Sequence, residues 1–231
     1  MTFKRKDRKM DELRSVEMKV GILNKADGSA LVKFGKTKAI AAVYGPRELH
    51  PKHRQNNERA ILQCNYVMAP FSTNERVRPG PSRRSVEISK VTREALESAL
   101  FLEDFPRTTI DVYIIILQAH SGTRTAGINA ASLALADAGV QMRDLVSAVA
   151  VGKINGNYVM DLAGKEEEVT QCDIPVAYMP RYKRLTLLQM DGDLPDKDVK
   201  NLIKLAVKGC ETLYEKQRKA LIGKWSKEGE A

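Results

Sequence analysis

The chain has 231 residues, of which 43% are hydrophobic and 29% charged, and its 38 Lys and Arg against 29 Asp and Glu give a formal net charge of +9. It holds no run of about 18 apolar residues, which excludes a membrane-spanning helix, and no apolar stretch follows the basic start MTFKRKDRKMDELR, so that segment does not read as a secretory signal. Cys64, Cys172 and Cys210 are odd in number and far apart, which excludes a disulfide framework or zinc spacing and points to a reducing, cytoplasmic compartment with each thiol a small core residue.

In chain order, residues 1–14 form a basic extension, flexible or ordered only by a partner. Residues 17–44 read as strands, with turn signals at Asp27-Gly28 and Gly35-Lys36. Residues 47–58 are a polar loop, 60–69 another strand and 71–85 a long loop. From Arg47 to Arg93, ten Lys and Arg stand against four acids, an excess of six. A balance of this kind suits a polyanion such as nucleic acid, or else it is a solvated surface. An aromatic content of 6% argues against a platform that stacks many bases.

Ile88, Val91, Ala95, Ala99 and Leu102 recur at helical spacing, with Pro106 beyond them. Residues 109–119 form a strand with hardly a polar residue after Asp111, so both faces should be covered. An Ala-rich helix over 127–138 closes at Gly139. Residues 145–162 read as a hairpin around Asn155-Gly156, and 161–173 as a short loop with five acids and one lysine. Two strands fill 174–190. An amphipathic helix starts at Pro195-Asp196 and runs to about Leu221. Its stripe of Ile203, Ala206, Cys210 and Leu213 is core or a subunit interface. Trp225 falls in a polar tail over 223–231, where it can contact another chain. This order implies one α/β (α+β) domain with mixed sheets and helices over residues 15–222.

Three stretches carry chemistry. Ser121-Gly122-Thr123-Arg124 places a glycine, hydroxyls and an arginine where a buried strand gives way to a helix. A helix N-terminus offers unpaired N–H groups and partial positive charge. The stretch therefore reads as an anion cradle, or more plainly as a capped helix. It is not a nucleotide P-loop, whose pattern is absent from the chain. Ser82-Arg83-Arg84-Ser85 repeats the theme at a second helix start. The acidic loop offers a general acid or a divalent-metal site, or else a solvated turn. His120 reads as structural, and His50 and His53 have no metal spacing.

The segments PSRRSVEISKVTREALESALFLEDFPRTTIDV and LQAHSGTRTAGINAASLALADAGVQMRDLVSAVAVGK, with the DL…CDIP loop, resemble the RNase PH family. They are most similar to its catalytic branch in archaeal exosomes. The resemblance spans residues 12–214 or so. It implies an RNase PH-type fold and 3′→5′ phosphorolysis of RNA to nucleoside diphosphates, with RNA tailing as the reverse reaction. It also implies a hexameric ring shared with a related non-catalytic subunit, and a cap of RNA-binding subunits. Inorganic phosphate is the implied co-substrate, held by Arg84, Thr123 and Arg124, with Mg2+ as a further cofactor. Asp173 matches the second of two family acids. The first falls without gaps on Glu167, where the family usually has aspartate, so Glu166 or Glu168 could serve instead. Asp173 and Glu167 are the implied catalytic pair and metal ligands. Arg83 falls beside the RNA backbone, and His50, Lys52, Arg54 and Arg76 are placed there too. The same fold could instead serve as a non-catalytic RNA-binding ring subunit, which would not be expected to present Arg84, Arg124 and Asp173 together. A small-molecule phosphotransferase is disfavoured by the missing nucleotide loop.

Overall fold

The structure is a computed structural model that describes Arg5 and residues 7–228. A first sheet holds β1 (Val16–Val20), β2 (Gly28–Phe34), β3 (Thr37–Glu48), β4 (Ile61–Met68) and β5 (Thr108–Gln118). Their order is β1-β2-β3-β5-β4, antiparallel except for β4 with β5. A parallel pair needs a crossover, and α1 (Arg83–Glu97) lies in it. The second sheet holds β6 (Ser147–Ile154), β7 (Asn157–Met160), β8 (Cys172–Met179), β9 (Arg184–Leu188) and β10 (Asp191–Gly192). There β8 pairs with β6 on one edge and with β9 and β10 on the other.

The helix α2 (Thr123–Asp137) packs against strands of both sheets. All of its 15 residues except Arg124 and Ala136 are buried. Ala126, Ala130, Ala131 and Ala134 keep it thin enough to lie between two layers, and its buried Asn129 and Ser132 are satisfied by bonds to the Ala148 carbonyl and from the Val146 N–H. At Gly28 of β2, a Cβ would come within 2.3 Å of the Ala134 carbonyl oxygen, so only glycine lets strand and helix approach this closely. The C-terminal helix α4 (Asp196–Glu228) covers the second sheet and reaches β1. Its Ala206, Cys210 and Leu213 are buried with Leu202, while Ile203 sits half-buried at the margin, so the stripe is core. One hydrophobic cluster joins both sheets and the helices between them.

Several expectations are corrected. β5 is not covered on both faces, since Tyr113 and Ile115 are 41% and 42% exposed. α1 stops at Glu97, although the apolar pattern continues to Leu102; Leu100 instead bridges to Met142 and Leu102 enters a 3-10 turn. The acidic loop contains a single helical turn, α3 (Glu166–Val169), and ends with Asp173 already in β8. α4 runs past Leu221 and carries Trp225 with it, Gly223 notwithstanding. An interior glycine costs a helix only about 1 kcal/mol, and beyond it Lys224 pairs with Asp137 at 2.8 Å. The expected tail at 229–231 lies outside the described residues.

The described part of the N-terminal extension is folded back on the body. Arg5 is 7% exposed and bonds Glu166 at 2.7 Å through both Nε and Nη2. Arg8 reaches the same carboxylate at 3.3 Å. The three cysteines are free, and burial pushes the thiols of Cys64 and Cys210 up to about 12. Among the described residues, no helix is long and apolar enough to cross a membrane.

Candidate active site

β5 ends at Gln118, and the chain turns into α2 through Ser121 and Gly122, both left-handed with φ of 65° and 66°. Gly122 is the N-cap and provides no side-chain cap. The first N–H groups of α2 are therefore without an intrahelical or capping partner, the arrangement that binds anions. A side chain at Gly122 would meet Arg14, whose Nη2 lies 3.0 Å from the Cβ position.

This turn forms one wall of a cavity of about 290 Å³, lined also by Arg84, Glu87, Glu167, Asp173, Gln189 and Asp191. Five residues singled out from sequence thus meet in one place: Arg84, Thr123, Arg124, Glu167 and Asp173. The hydroxyls beside Arg84 have a different role. Ser82 and Ser85 form a reciprocal capping box at the start of α1, with bonds of 3.1 and 2.7 Å. That cap fixes the first turn of α1 and leaves Arg84 as its contribution to the cavity.

Arg124 is held from two sides. Its Nη1 donates to Gln189 Oε1 and its Nη2 to Glu87 Oε2 at 3.0 Å, while Gln189 Nε2 donates to Glu87 Oε1 at 3.1 Å. The Nε of Arg124 is buried without a partner. Buried Tyr66 stands behind the cradle; burial raises its pKa, and Thr123, Arg84 and Arg124 oppose the shift.

Across the cavity, Asp173 lies opposite Asp191 in the β8–β10 register. Its Oδ1 is buried and makes no hydrogen bond. Burial first, then the neighbouring Glu167 and Asp191, push its pKa up to about 6 against the pull of Arg124 and Arg84. Glu167 is exposed, lines the cavity, and accepts a long 3.4 Å bond from the Gly122 N–H. Glu166 is removed as a stand-in for it, being buried and paired with Arg5 and Arg8. Glu168 is exposed and does not line the cavity. Asp161 is neutralised by Arg14.

Sequence reasoning misses Glu87, Gln189, Asp191 and Arg14. Only Glu87 has a local signal, lying three residues after Arg84 on the same helical face. The other basic candidates are not brought into the cavity. Arg83, Arg76, His50, Lys52 and Arg54 are all exposed, on the start of α1, on the loop before it and around the 3-10 turn Lys52–Arg54.

Profiles of the 3′ exoribonuclease family match residues 12–141 as domain 1 (RNase PH) and residues 144–209 as domain 2 (RNase PH, C-terminal). The chain belongs to the RNase PH family of 3′ exoribonucleases. The two family segments follow the two sheets, with the boundary just before β6. The exosome complex component Rrp41 of Pyrococcus furiosus is 59% identical over 220 residues, 95% of this chain and 88% of the relative. That of Methanopyrus kandleri is 54% identical over 218 residues, 94% and 91% of the two chains. Among solved structures, the crystal structure of rice Rrp46 has a TM-score of 0.83 at 22% identity, covering 93% of this chain and 98% of that one. The Archaeoglobus fulgidus exosome with RNA bound to the active site has a chain with a TM-score of 0.78 at 24% identity, covering 90% of each. Both confirm the RNase PH-type fold.

Proposed function

We propose that this chain is the catalytic subunit of an exosome, a 3′→5′ exoribonuclease that degrades RNA by phosphorolysis. The observation that carries the reading is the meeting of Arg84, Thr123 and Arg124 with Asp173 and Glu167 in one cavity. Its similarity to Rrp41 exosome components over nearly the whole chain supports it.

The chemistry has two demands. Inorganic phosphate must attack the terminal phosphodiester of RNA, although both are anions. Arg84 and Arg124 supply charge, and Thr123 and the open N-terminus of α2 supply neutral donors, so the nucleophile is gathered and oriented before reaction. As a phosphate oxygen bonds to the RNA phosphorus, the bond to the 3′-oxygen of the preceding nucleotide breaks. That oxygen then needs a proton. Asp173, with its pKa near 6, is the group placed to give one. The products are a nucleoside diphosphate and an RNA one residue shorter. In reverse, the same groups would extend RNA.

Mg2+ is part of the proposal. The cavity wall carries four carboxylates, Glu87, Glu167, Asp173 and Asp191, against two arginines, and the buried Asp173 Oδ1 has no partner. No cluster of three or more ligand side chains occurs among the described residues. The donor set fits Mg2+, which is commonly held by one or two carboxylates plus substrate phosphates. Glu167 would hold it with the substrate phosphates, the carbonyl oxygen of the protonated Asp173 adding a contact, and it would neutralise charge near the leaving oxygen.

Arg83, Arg76, His50, Lys52 and Arg54 are proposed to follow the RNA backbone outside the cavity. A hexameric ring with a related non-catalytic subunit, RNA-binding caps and a cytoplasmic location complete the proposal. It is tested by incubating the chain, alone and with its partner subunit, with 3′-extended RNA in the presence and absence of phosphate. Nucleoside diphosphates formed only with phosphate are expected. Monophosphates formed equally well without it would reject phosphorolysis.

A further inference from the structure

Arg14 does not line the cavity, yet it touches both halves of its frame. Its Nε and Nη2 grip the Asp161 carboxylate at 2.9 and 2.7 Å, and its backbone N–H adds a third bond at 2.8 Å. Its Nη1 donates to the His120 carbonyl at 2.7 Å. Asp161 opens the segment that carries Glu167. His120 opens the turn that ends in Thr123. The guanidinium passes beneath that turn, its Nη2 3.0 Å from where a Cβ on Gly122 would sit. Asp161 itself is 2% exposed with φ of 57°, an uncommon backbone state that the arginine grip holds in place. Two lighter ties join the same segments: Gly164 N–H donates to Ser121 Oγ at 2.7 Å, and Gly122 N–H to Glu167 Oε1 at 3.4 Å.

We propose that Arg14 is a positioning residue for phosphorolysis, fixing the carboxylate segment 161–167 against the phosphate cradle 121–124. The inference rests on the phosphorolytic reading above. In that reaction the attacking phosphate sits on the cradle while the leaving oxygen faces the carboxylates. Their separation must match an in-line displacement, and a small shift of one wall lowers the rate without removing a single group that touches substrate. A fork that bonds a carboxylate with one edge and a carbonyl with another arm can set that separation. A lysine, with one point of charge, cannot hold both.

The test uses the full chain in its exosome assembly and measures kcat, the KM for phosphate, RNA affinity and melting temperature. Arg14→Lys keeps the charge and should fold. Its kcat should fall roughly tenfold to a hundredfold, the scale of a misplacement of about 1 Å, and its phosphate KM should rise. RNA affinity should hold within about twofold, because the exposed basic groups outside the cavity are untouched. Arg14→Gln should lose more than Arg14→Lys. Ser121→Ala cuts only a lighter tie and leaves the buried ion pair intact, so it should fold and show a smaller loss of kcat in the same direction. A lower melting temperature with wild-type kcat and KM, measured well below melting, would make Arg14 structural only and overturn the proposal. If Arg14→Lys does not fold, Ser121→Ala decides, and unchanged constants there overturn it as well. The wild-type arm separates the two readings. No phosphate-dependent release of diphosphates from wild type ends the phosphorolytic reading and this inference with it. Wild-type phosphorolysis with unaffected variants ends only the role of Arg14.

Discussion

Asp173 is a carboxyl group kept where ionisation is expensive: burial dominates, Glu167 and Asp191 add like charge, and Arg124 and Arg84 recover part of the loss. The first consequence is kinetic. A leaving oxygen must be protonated, so the active form carries the proton, and single-turnover rates should fall about tenfold per pH unit above its pKa of about 6. Asp173→Asn should be two to four orders of magnitude slower and lose this pH dependence, while RNA binding holds. The second consequence is a stability effect of the opposite sense. The carboxyl group has an ordinary value of 3.8 that folding raises to about 6, so its contribution to stability is full below the lower value and lost as pH rises through the upper. Above that point the ionised form weighs against folding by about 3 kcal/mol at most. Asp173→Asn should therefore melt higher than wild type at pH 8 and equally at pH 4. A variant that melts lower at pH 8 would show that the carboxylate has partners absent here. Arg124→Glu, by contrast, places an acid in the cradle beside Glu87. It should abolish phosphate-dependent turnover, checked by diphosphate release, while the half-exposed site keeps the fold intact.

At the scale of elements, the acidic segment separates what sequence can and cannot convey. The Asn155-Gly156 turn, the strand β5, the Ala-rich body of α2 and the order arginine pair, G-T-R turn, acidic loop are all legible, because each is set by neighbours in the chain, whereas α2 starts at Thr123, four residues before the expected 127. Which of Glu166, Glu167 and Glu168 faces the cavity is not. One helical turn points them in three directions, and the choice is made by Arg5 and Arg8, 161 and 158 residues away. The same blindness lies behind the misplaced end of α1: Leu100 and Leu102 continue its apolar pattern, but a bridge from Leu100 to Met142 pulls the chain out of the helix. Arg14, Gln189 and Asp191 enter the site only through long-range pairing, so no local pattern announces them. The assignment of the glutamates predicts a crossed result. Glu166→Gln leaves two arginines facing a neutral group in a buried setting and should destabilise by about 3–5 kcal/mol, the usual effect of breaking a buried pair. Glu167→Gln, on an exposed side chain, should leave the melting temperature nearly unchanged and lower turnover. Thermal melts and single-turnover rates on both variants check this; a large stability loss in Glu167→Gln and none in Glu166→Gln would reverse the assignment.

Over the whole molecule, whose net charge is +9, the basic groups around the site fall into three sets. Arg5, Arg8 and Arg14 are turned inward on Glu166 and Asp161 and are not available to a polyanion. Arg84 and Arg124 face the cavity. His50, Lys52, Arg54, Arg76 and Arg83 stay exposed on loops and on the start of α1. This last group is free to follow an RNA strand outside the site, as are exposed neighbours such as Arg59 and Arg78. The division implies that RNA grip and phosphate capture are separable, because no side chain belongs to both. Contacts to a single-stranded backbone release counterions, and each weakens the slope of log affinity against log salt by about 0.7 when removed. Replacing Lys52, Arg54 and Arg76 together with alanine should then flatten that slope by about 2 and weaken RNA binding most at low salt. The phosphate KM at saturating RNA should stay within about twofold, since the cradle is built by α1 and α2 and not by these loops. Salt titrations of RNA binding, run beside phosphate saturation curves on the assembled enzyme, measure both quantities. A phosphate KM that rises in step with the loss of RNA affinity would mean that the loop cations and the cradle act as one site, and the division of charge drawn from their separate positions would be wrong.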